Sequence, residues 1–573
     1  MQAYNFFNRA NRFCNGREKA ALFFLWCSFI LLFSPPLTFF TGILLNRAVD
    51  FESTVILHSS FFVSFACISA LFFFYRRFFS SLLSACCPSS LQFIIVFLFA
   101  FLVAFPRFAA ISPGIPAAVY DDNWHLQKIV SVFGTFPDFK HYLFPGLKFS
   151  YYFYAYIIPA VAYTLKTGLN LKTVWAFYIF AAAISLSTLL LLCFNAFLPA
   201  SGKVRTVFAL SITFMGGLHE WPYVFYAWIT GLKNWHTEWW ANNMGLNMQV
   251  SSFYSTHFWA PQHVCGLAVF GLIFYILQKM ESKKKAGFAC GLLLGIQAGF
   301  SVYVAIFSLL YILLYILFRL WKQWKEYVSI GIFFFAGMCI SLLPIFKYFI
   351  DKEGTVFFAG DILHTPHYVL FLVVEFGAML VLFAFYGLGV FGAGDRLDRD
   401  GRIHVVFIIV TFVLLFCFQS KGFNVLSYRS ILPAQILFYF SGSLMIDRLK
   451  NKSYFLKYAV MVLLCIQMAG FIPEMLAMTK KNIDCRKSTF RLPDNIVRIN
   501  AQAPFTEIFT IPYKDVDSIT LNISIHNIFR LKDVSKRFFC EGKVDTNNMV
   551  YLSNKGIETI ERACRRGADL KKD

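Results

Sequence analysis

Charge is scarce in this chain, and acid is scarcer still. Only 14% of the residues are charged, and 31 Asp and Glu stand against 52 Lys and Arg. A chain so poor in charge, 58% hydrophobic and holding 72 Phe, carries more apolar surface than a soluble domain can bury. Also lacking are a Walker motif, a Gly-rich nucleotide loop and an HExxH helix, so nucleotide and zinc-protease chemistry have no support. The 14 cysteines include no CxxC pair, and the adjacent Cys86-Cys87 cannot make a zinc knuckle, so no structural metal site is expected. Most cysteines, such as Cys27, Cys67, Cys193, Cys290 and Cys417, lie inside apolar runs and read as small core residues. Cys485, Cys540 and Cys564 lie in the tail, where one disulfide would leave a thiol over. There is no internal repeat and no low-complexity linker.

What the chain does have is a series of long apolar runs, which read as transmembrane helices. Its net charge of +21 would suggest nucleic acid in a soluble protein. Here the basic residues fall in short clusters between apolar runs, the positive-inside pattern, and nucleic-acid binding is set aside. Arg9, Arg12, Arg17 and Lys19 precede an apolar run from Ala20 that continues through Pro35-Pro36 to Leu45. No small-residue cleavage site follows, so the run is expected to be an uncleaved anchor with the N-terminus inside.

Orientation follows from the clusters. Runs at about 20–45, 55–75 and 91–110 cross out, in and out, with Arg76-Arg77 on the inner turn. The loop 111–150 is then outside. A run at about 258–278 enters at Lys279 and Lys283-Lys284-Lys285. Runs at about 286–300 and 302–318 go out and back to Arg319, Lys322 and Lys325. The runs 328–349, 367–392, 403–419, 431–447 and 455–477 complete the alternation, with inner clusters at Arg396–Arg402 and Arg448–Lys452. Between 150 and 257 three runs, 151–165, 174–198 and 206–217, stand where an even number is needed. Either one is re-entrant, or Trp221–Leu232 belongs to a broken fourth. The expected total is about 12 to 14 helices. Of the 11 histidines, His404 alone falls on the inner side.

The expected architecture is therefore an all-α polytopic membrane protein with a small extramembrane C-terminal α+β domain. Residues 1–90 form N-terminal membrane helices. Residues 91–477 form a transmembrane module with outer loops 111–150 and 218–257. Residues 478–573 form the outer domain, with strands at Glu507–Pro512 and Ser518–Ile525 and a helix over Ser553–Arg566. The expected location is the cell (inner) membrane.

Four polar constellations stand out against the apolar background. Asp121, Asp122 and His125 lie in the first outer loop, and Asp122 and His125, three apart, share one face of a helix. A carboxylate there can take a proton from an acceptor hydroxyl or amine. A merely solvated interfacial loop is the plain alternative. Next come Lys148, Tyr151 and Tyr152, in an aromatic run that suits either a membrane belt or a sugar ring. Trp259, Gln262 and His263 open a helix from the outer side behind a loop rich in Trp and amides. Last, Asn424, Tyr428 and Arg429 form a short outer loop. An outward Arg departs from the positive-inside trend and can hold a phosphate by two parallel hydrogen bonds, though a snorkelling Arg would look the same.

These motifs, acid-acid-x-Trp-His, Phe-Pro, Pro-Gly-x-x-x-x-Tyr-Tyr, Trp-x-Pro-Gln-His and Asn-x-x-x-Tyr-Arg-x-x-x-Pro, occur in that order. The chain resembles the GT-C superfamily of polytopic membrane glycosyltransferases, bacterial type, over roughly residues 90–445. The resemblance implies a lipid-linked sugar donor, a polyprenyl phosphate or diphosphate, and a lipid, glycan or protein acceptor. It implies a catalytic base at Asp121 or Asp122 and a donor-phosphate contact at Arg429. No cofactor is required, and a divalent metal is compatible. Two departures stand: two helices precede the one leading into the acidic loop, and Tyr152 occupies a place that is His in many relatives. A lipid or polysaccharide transporter, flippase or polymerase is the alternative, with Glu375 as its membrane-embedded acid.

Overall fold

In lipid, every backbone polar group must be satisfied within the chain, so apolar runs of this length become helices. The computed structural model describes chiefly residues 16–48, 51–76, 86–109, 122–138, 153–165, 169–216, 252–346, 367–392, 399–420, 429–447 and 454–473, with a few single residues and short strands besides. The helices are α1 Gly16–Ala48, α2 Ser53–Phe74, α3 Ser90–Ala109, α4 Asp122–Thr135, α5 Tyr154–Thr164, α6 Leu171–Asn195, α7 Gly202–Phe214 and α8 Phe253–Trp259. There follow α9 Pro261–Lys279, α10 Lys283–Phe300, α11 Val302–Leu320, α12 Gln323–Phe346, α13 His367–Gly392, α14 Arg399–Cys417, α15 Leu432–Leu444 and α16 Tyr454–Met468. Among the described residues nine helices are long and apolar enough to cross a membrane: α1, α2, α3, α6, α9, α11, α12, α13 and the one that begins at Tyr454. The chain is thus a multi-pass membrane protein in architecture.

Among the described residues extended backbone forms short pieces. Val356–Phe358 pairs with Phe418–Ser420, and Lys140–His141 with Phe144–Lys148. Ile496–Ala501, Ile508–Pro512, Thr520–Ile523 and Val550–Leu552 pair as four strands, the third beside the first and the fourth beside the second. The remainder of 478–573, including the helix expected over Ser553–Arg566, lies outside the described residues, as do most of the loops 111–150 and 218–257.

The chain divides into two compact units, each described by itself. One comprises residues 1–37, 63–103 and 179–477; the other comprises 38–62, 104–178 and 478–573.

Within the larger unit the closest packing is between α10 and α12. Gly287, Gly291 and Gly295 recur every fourth residue and so line one face of α10. A Cβ on Gly291 would lie 2.7 Å from the Met338 amide nitrogen and closer still to the Phe334 carbonyl oxygen. A Cβ on Gly337 would overlap the Phe288 carbonyl in turn. The two backbones therefore touch, the way small residues hold helices together where lipid removes any hydrophobic drive between them. At the entry to α3, Ser89 and Gln92 form a reciprocal capping box: the Ser89 amide donates to Gln92 Oε1 at 3.0 Å, and the Gln92 amide to Ser89 Oγ at 3.2 Å. The Arg319 guanidinium on α11 pairs with Asp400 at the start of α14 and lies 4.7 Å over the Tyr315 ring.

Among the described residues four helix breaks interrupt this unit, one of them at Gln323 (φ −142°, ψ 49°) between α11 and α12. Ala260 (φ −144°, ψ 60°) splits α8 from α9, and the run expected at about 258–278 is α9, Pro261–Lys279. Ser301 (φ −163°, ψ 107°) separates α10 from α11. Gly377 has φ +42° inside α13. At Gly377 the Ala378 amide donates to Gln467 Oε1 at 2.9 Å, and Gln467 Nε2 donates to the Glu375 carbonyl at 3.4 Å. The Gly216 amide donates to the Gln467 carbonyl at 3.0 Å. A side chain at position 377 would enter a backbone region open to glycine alone and press on Leu218 and Gln467. Gly377→Ala is expected to cost about 1–3 kcal/mol, read as a lowered Tm of the purified protein in detergent. An unchanged Tm would show that the break is not strained.

Candidate functional site

In the smaller unit, α4 is buried over much of its surface: Leu126, Ile129, Val132 and Phe133 are core, and His125 and Lys128 are buried among them. Asp122 is the first residue of α4, and its side chain lies outside the described residues, as does Asp121. Buried His125 meets the Tyr156 hydroxyl of α5 at 2.8 Å through Nδ1. Its ring stacks on Trp175 of α6, with centroids 4.9 Å apart at 29°. Tyr156 and Trp175 lie 6.1 Å apart, and Tyr178 extends the stack at 5.4 Å. The Lys128 ammonium lies 5.5 Å from the centre of the Tyr156 ring, within cation–π range. Asn170 caps α6, accepting from the Thr173 amide at 2.8 Å, and this fixes where Trp175 sits. Arg107, Lys128 and Lys172 are all buried in this unit. Buried cations in so apolar a chain are costly and mark places where charge is used.

In the larger unit, Gln262 and His263 are fully buried in the first turn of α9. His263 Nδ1 meets Ser301 Oγ at 2.7 Å. Ser301 also heads α11, accepting from the Val304 amide at 3.3 Å. Gly266, one turn along α9, leaves room for this approach: a Cβ there would lie 3.2 Å from the Ser301 Cβ. Gln297 Nε2 on α10 donates to the Gly266 carbonyl at 2.7 Å and ties α10 to α9. Tyr303 stands 6.4 Å from the His263 ring and 6.0 Å beneath the Arg429 guanidinium, just ahead of α15. The starts of α9 and α11 thus meet near Arg429, each one residue past the end of another helix, α8 and α10. The Arg429 guanidinium is the group there that suits an anion. Trp259 is half-buried, against Phe258 at the end of α8.

His125, Gln262, His263 and Arg429 are thus placed in two polar clusters, one in each unit. Lys148 is known only as strand backbone, and Tyr151, Tyr152, Asn424 and Tyr428 lie outside the described residues. Tyr156, Trp175, Ser301 and Tyr303 were not singled out from sequence. Ser301 had a signal: it is the lone hydroxyl between two apolar runs too short to need a loop. Among the described residues no three His, Cys, Asp or Glu side chains converge as a metal site. Comparison with family models, with curated proteins and with solved structures gives no match.

Proposed function

We propose that the chain is a membrane transferase that moves a sugar from a polyprenyl-phosphate donor to an acceptor at the outer membrane face. The observation that carries this reading is the cluster of His263, Ser301, Tyr303 and Arg429 at two helix starts. A lipid phosphate is the anion such a cluster would meet in a bilayer. In the reaction, Asp122 or Asp121 takes the proton from the acceptor O–H or N–H. The acceptor oxygen or nitrogen bonds to the sugar's anomeric carbon as the bond from that carbon to the phosphate oxygen breaks. The phosphate leaves with the electron pair, and the Arg429 charge stabilises it. Lys148, Tyr151, Tyr152, Trp259, Asn424 and Tyr428 remain the proposed contacts to substrate.

Arg429→Ala is expected to weaken binding of a polyprenyl phosphate by about 10–100-fold, the loss of a hydrogen bond to a charged group. Arg429→Lys, which keeps the charge but not the planar fork, should recover part of it. Titration of the detergent-purified protein with the lipid, followed by intrinsic fluorescence, measures both. Equal affinity in all three proteins would sink the phosphate assignment.

A second reading, a lipid or polysaccharide transporter or flippase, is favoured by one observation. Glu375 is buried in an apolar helix, two residues before the break at Gly377. Ionisable groups beside broken helices are where transporters bind substrate and coupling ions.

A further inference from the structure

The His125 ring is held more tightly than a solvated loop residue needs. Its Nδ1 is engaged by the Tyr156 hydroxyl at 2.8 Å, and both rings are buried. Trp175 stacks on the two of them and blocks rotation of the imidazole. Lys128, one turn along α4 on the same face as His125, places its ammonium over the Tyr156 ring. A phenol is a stronger donor than a neutral imidazole, and an imidazole nitrogen a stronger acceptor than a phenol oxygen. That difference favours a bond from the Tyr156 O–H to Nδ1, with the ring proton on Nε2.

We propose that Tyr156 is the positioning residue for His125, fixing its ring and its Nε2–H tautomer one helical turn from Asp122. The proposal rests on the transferase reading for its purpose, and on the ring geometry for its content. A ring so held is a fixed donor at Nε2, able to orient a carboxylate base or a phosphate oxygen. It is not a general base, because the proton-accepting nitrogen is already taken. Trp175 and Lys128 complete the arrangement by holding the phenol itself.

The test uses the full chain labelled with ¹⁵N-histidine in lipid nanodiscs. The His125 signals are assigned by difference from His125→Gln. In the unsubstituted protein the proton is expected on Nε2, with Nδ1 showing the shift of a hydrogen-bonded acceptor. Tyr156→Phe keeps the stacking and removes the donor. It is expected to lower the ratio of Nε2–H to Nδ1–H forms by about tenfold. In a transfer assay the same variant should lower kcat by about tenfold and leave KM in place. A ring protonated on Nδ1 in the unsubstituted protein overturns the proposal without any variant, so misfolding of Tyr156→Phe does not shelter it. An unchanged tautomer ratio in a folded Tyr156→Phe overturns it too.

The two readings fail separately. If Tyr156→Phe shifts the tautomer while Asp121→Asn and Asp122→Asn leave transfer intact, the transferase reading falls and the positioning role stands. If the Asp variants abolish transfer while Tyr156→Phe leaves the ring spectrum unchanged, the reverse holds.

Discussion

Asp122→Asn in the intact chain is expected to lower sugar transfer from a polyprenyl-phosphate donor by about 10²–10⁴-fold, the usual contribution of a positioned general base. The substitution is nearly isosteric, and Asn serves a helix start as well as Asp does. It should therefore leave α4, which Asp122 opens, in place. His125, one turn further on, is held by the Tyr156 hydroxyl and the Trp175 ring, contacts that the substitution leaves in place. Donor binding should be little changed, because the phosphate contact is assigned to Arg429. The loss then appears in kcat. Asp121→Asn, measured beside it, decides which of the adjacent acids is the base: the residue whose loss removes the larger factor. The assay is transfer of a radiolabelled sugar by protein in nanodiscs, with elution volume on size exclusion as the check on folding. Unchanged transfer in both single variants and in the double variant would remove the enzyme reading and leave the transporter as the better account.

Gly291→Leu is expected to abolish assembly of the α10–α12 pair. A leucine would have to occupy space already held by the Phe334 carbonyl and the Met338 amide, and both are backbone. Side chains can swing aside; a helix backbone can yield only by separating from its neighbour. Overpacking of this kind costs about 1–3 kcal/mol even where side chains give way, so the upper end of that range is the floor here. The comparison variant is Gly331→Ala on the same α12 helix, where nothing lies within 4 Å of the new methyl. There the better helix propensity of alanine should leave stability equal or raise it by about 1 kcal/mol. Fluorescence-detected size exclusion after a heating series reads both. If Gly291→Leu elutes and melts like the unsubstituted protein, the helices do not meet as closely as described.

Helix placement was legible because lipid makes it so: with no other way to satisfy the backbone, hydropathy and length decide. The run read at 367–392 is α13 at those bounds, and the run read at about 91–110 is α3 within a residue. The breaks were less legible. Gly377 sits in a stretch that is apolar on both sides save for Glu375, and its unusual backbone depends on Gln467, far along the chain. No local pattern announces that. The glycines of α10 did have a local pattern, a repeat of four, but its meaning depends on the partner helix. Of the site, the sequence pointed to His125 and His263 by their rarity in apolar surroundings. It could not point to Tyr156 or Ser301, which matter through what they touch. Tyr156 is one tyrosine of several between 151 and 156, and only its hydrogen bond distinguishes it.

Gln467 has a consequence for how the protein is made. The amide of Ala378 has its partner 89 residues downstream. At about 5–20 residues per second of synthesis, Ala378 is made roughly 4–18 seconds before the glutamine that satisfies it exists. Over that interval the Gly377 break holds an unmet donor, which the hydrocarbon core penalises. The helix must wait in a straighter form, at the membrane surface, or within the insertion machinery. The arrival of α16 is then the event that settles α13 and, through the Gly216 amide, the end of α7. One late residue, through its side chain and its backbone carbonyl, closes three segments at once, so the order of synthesis is written into the joint.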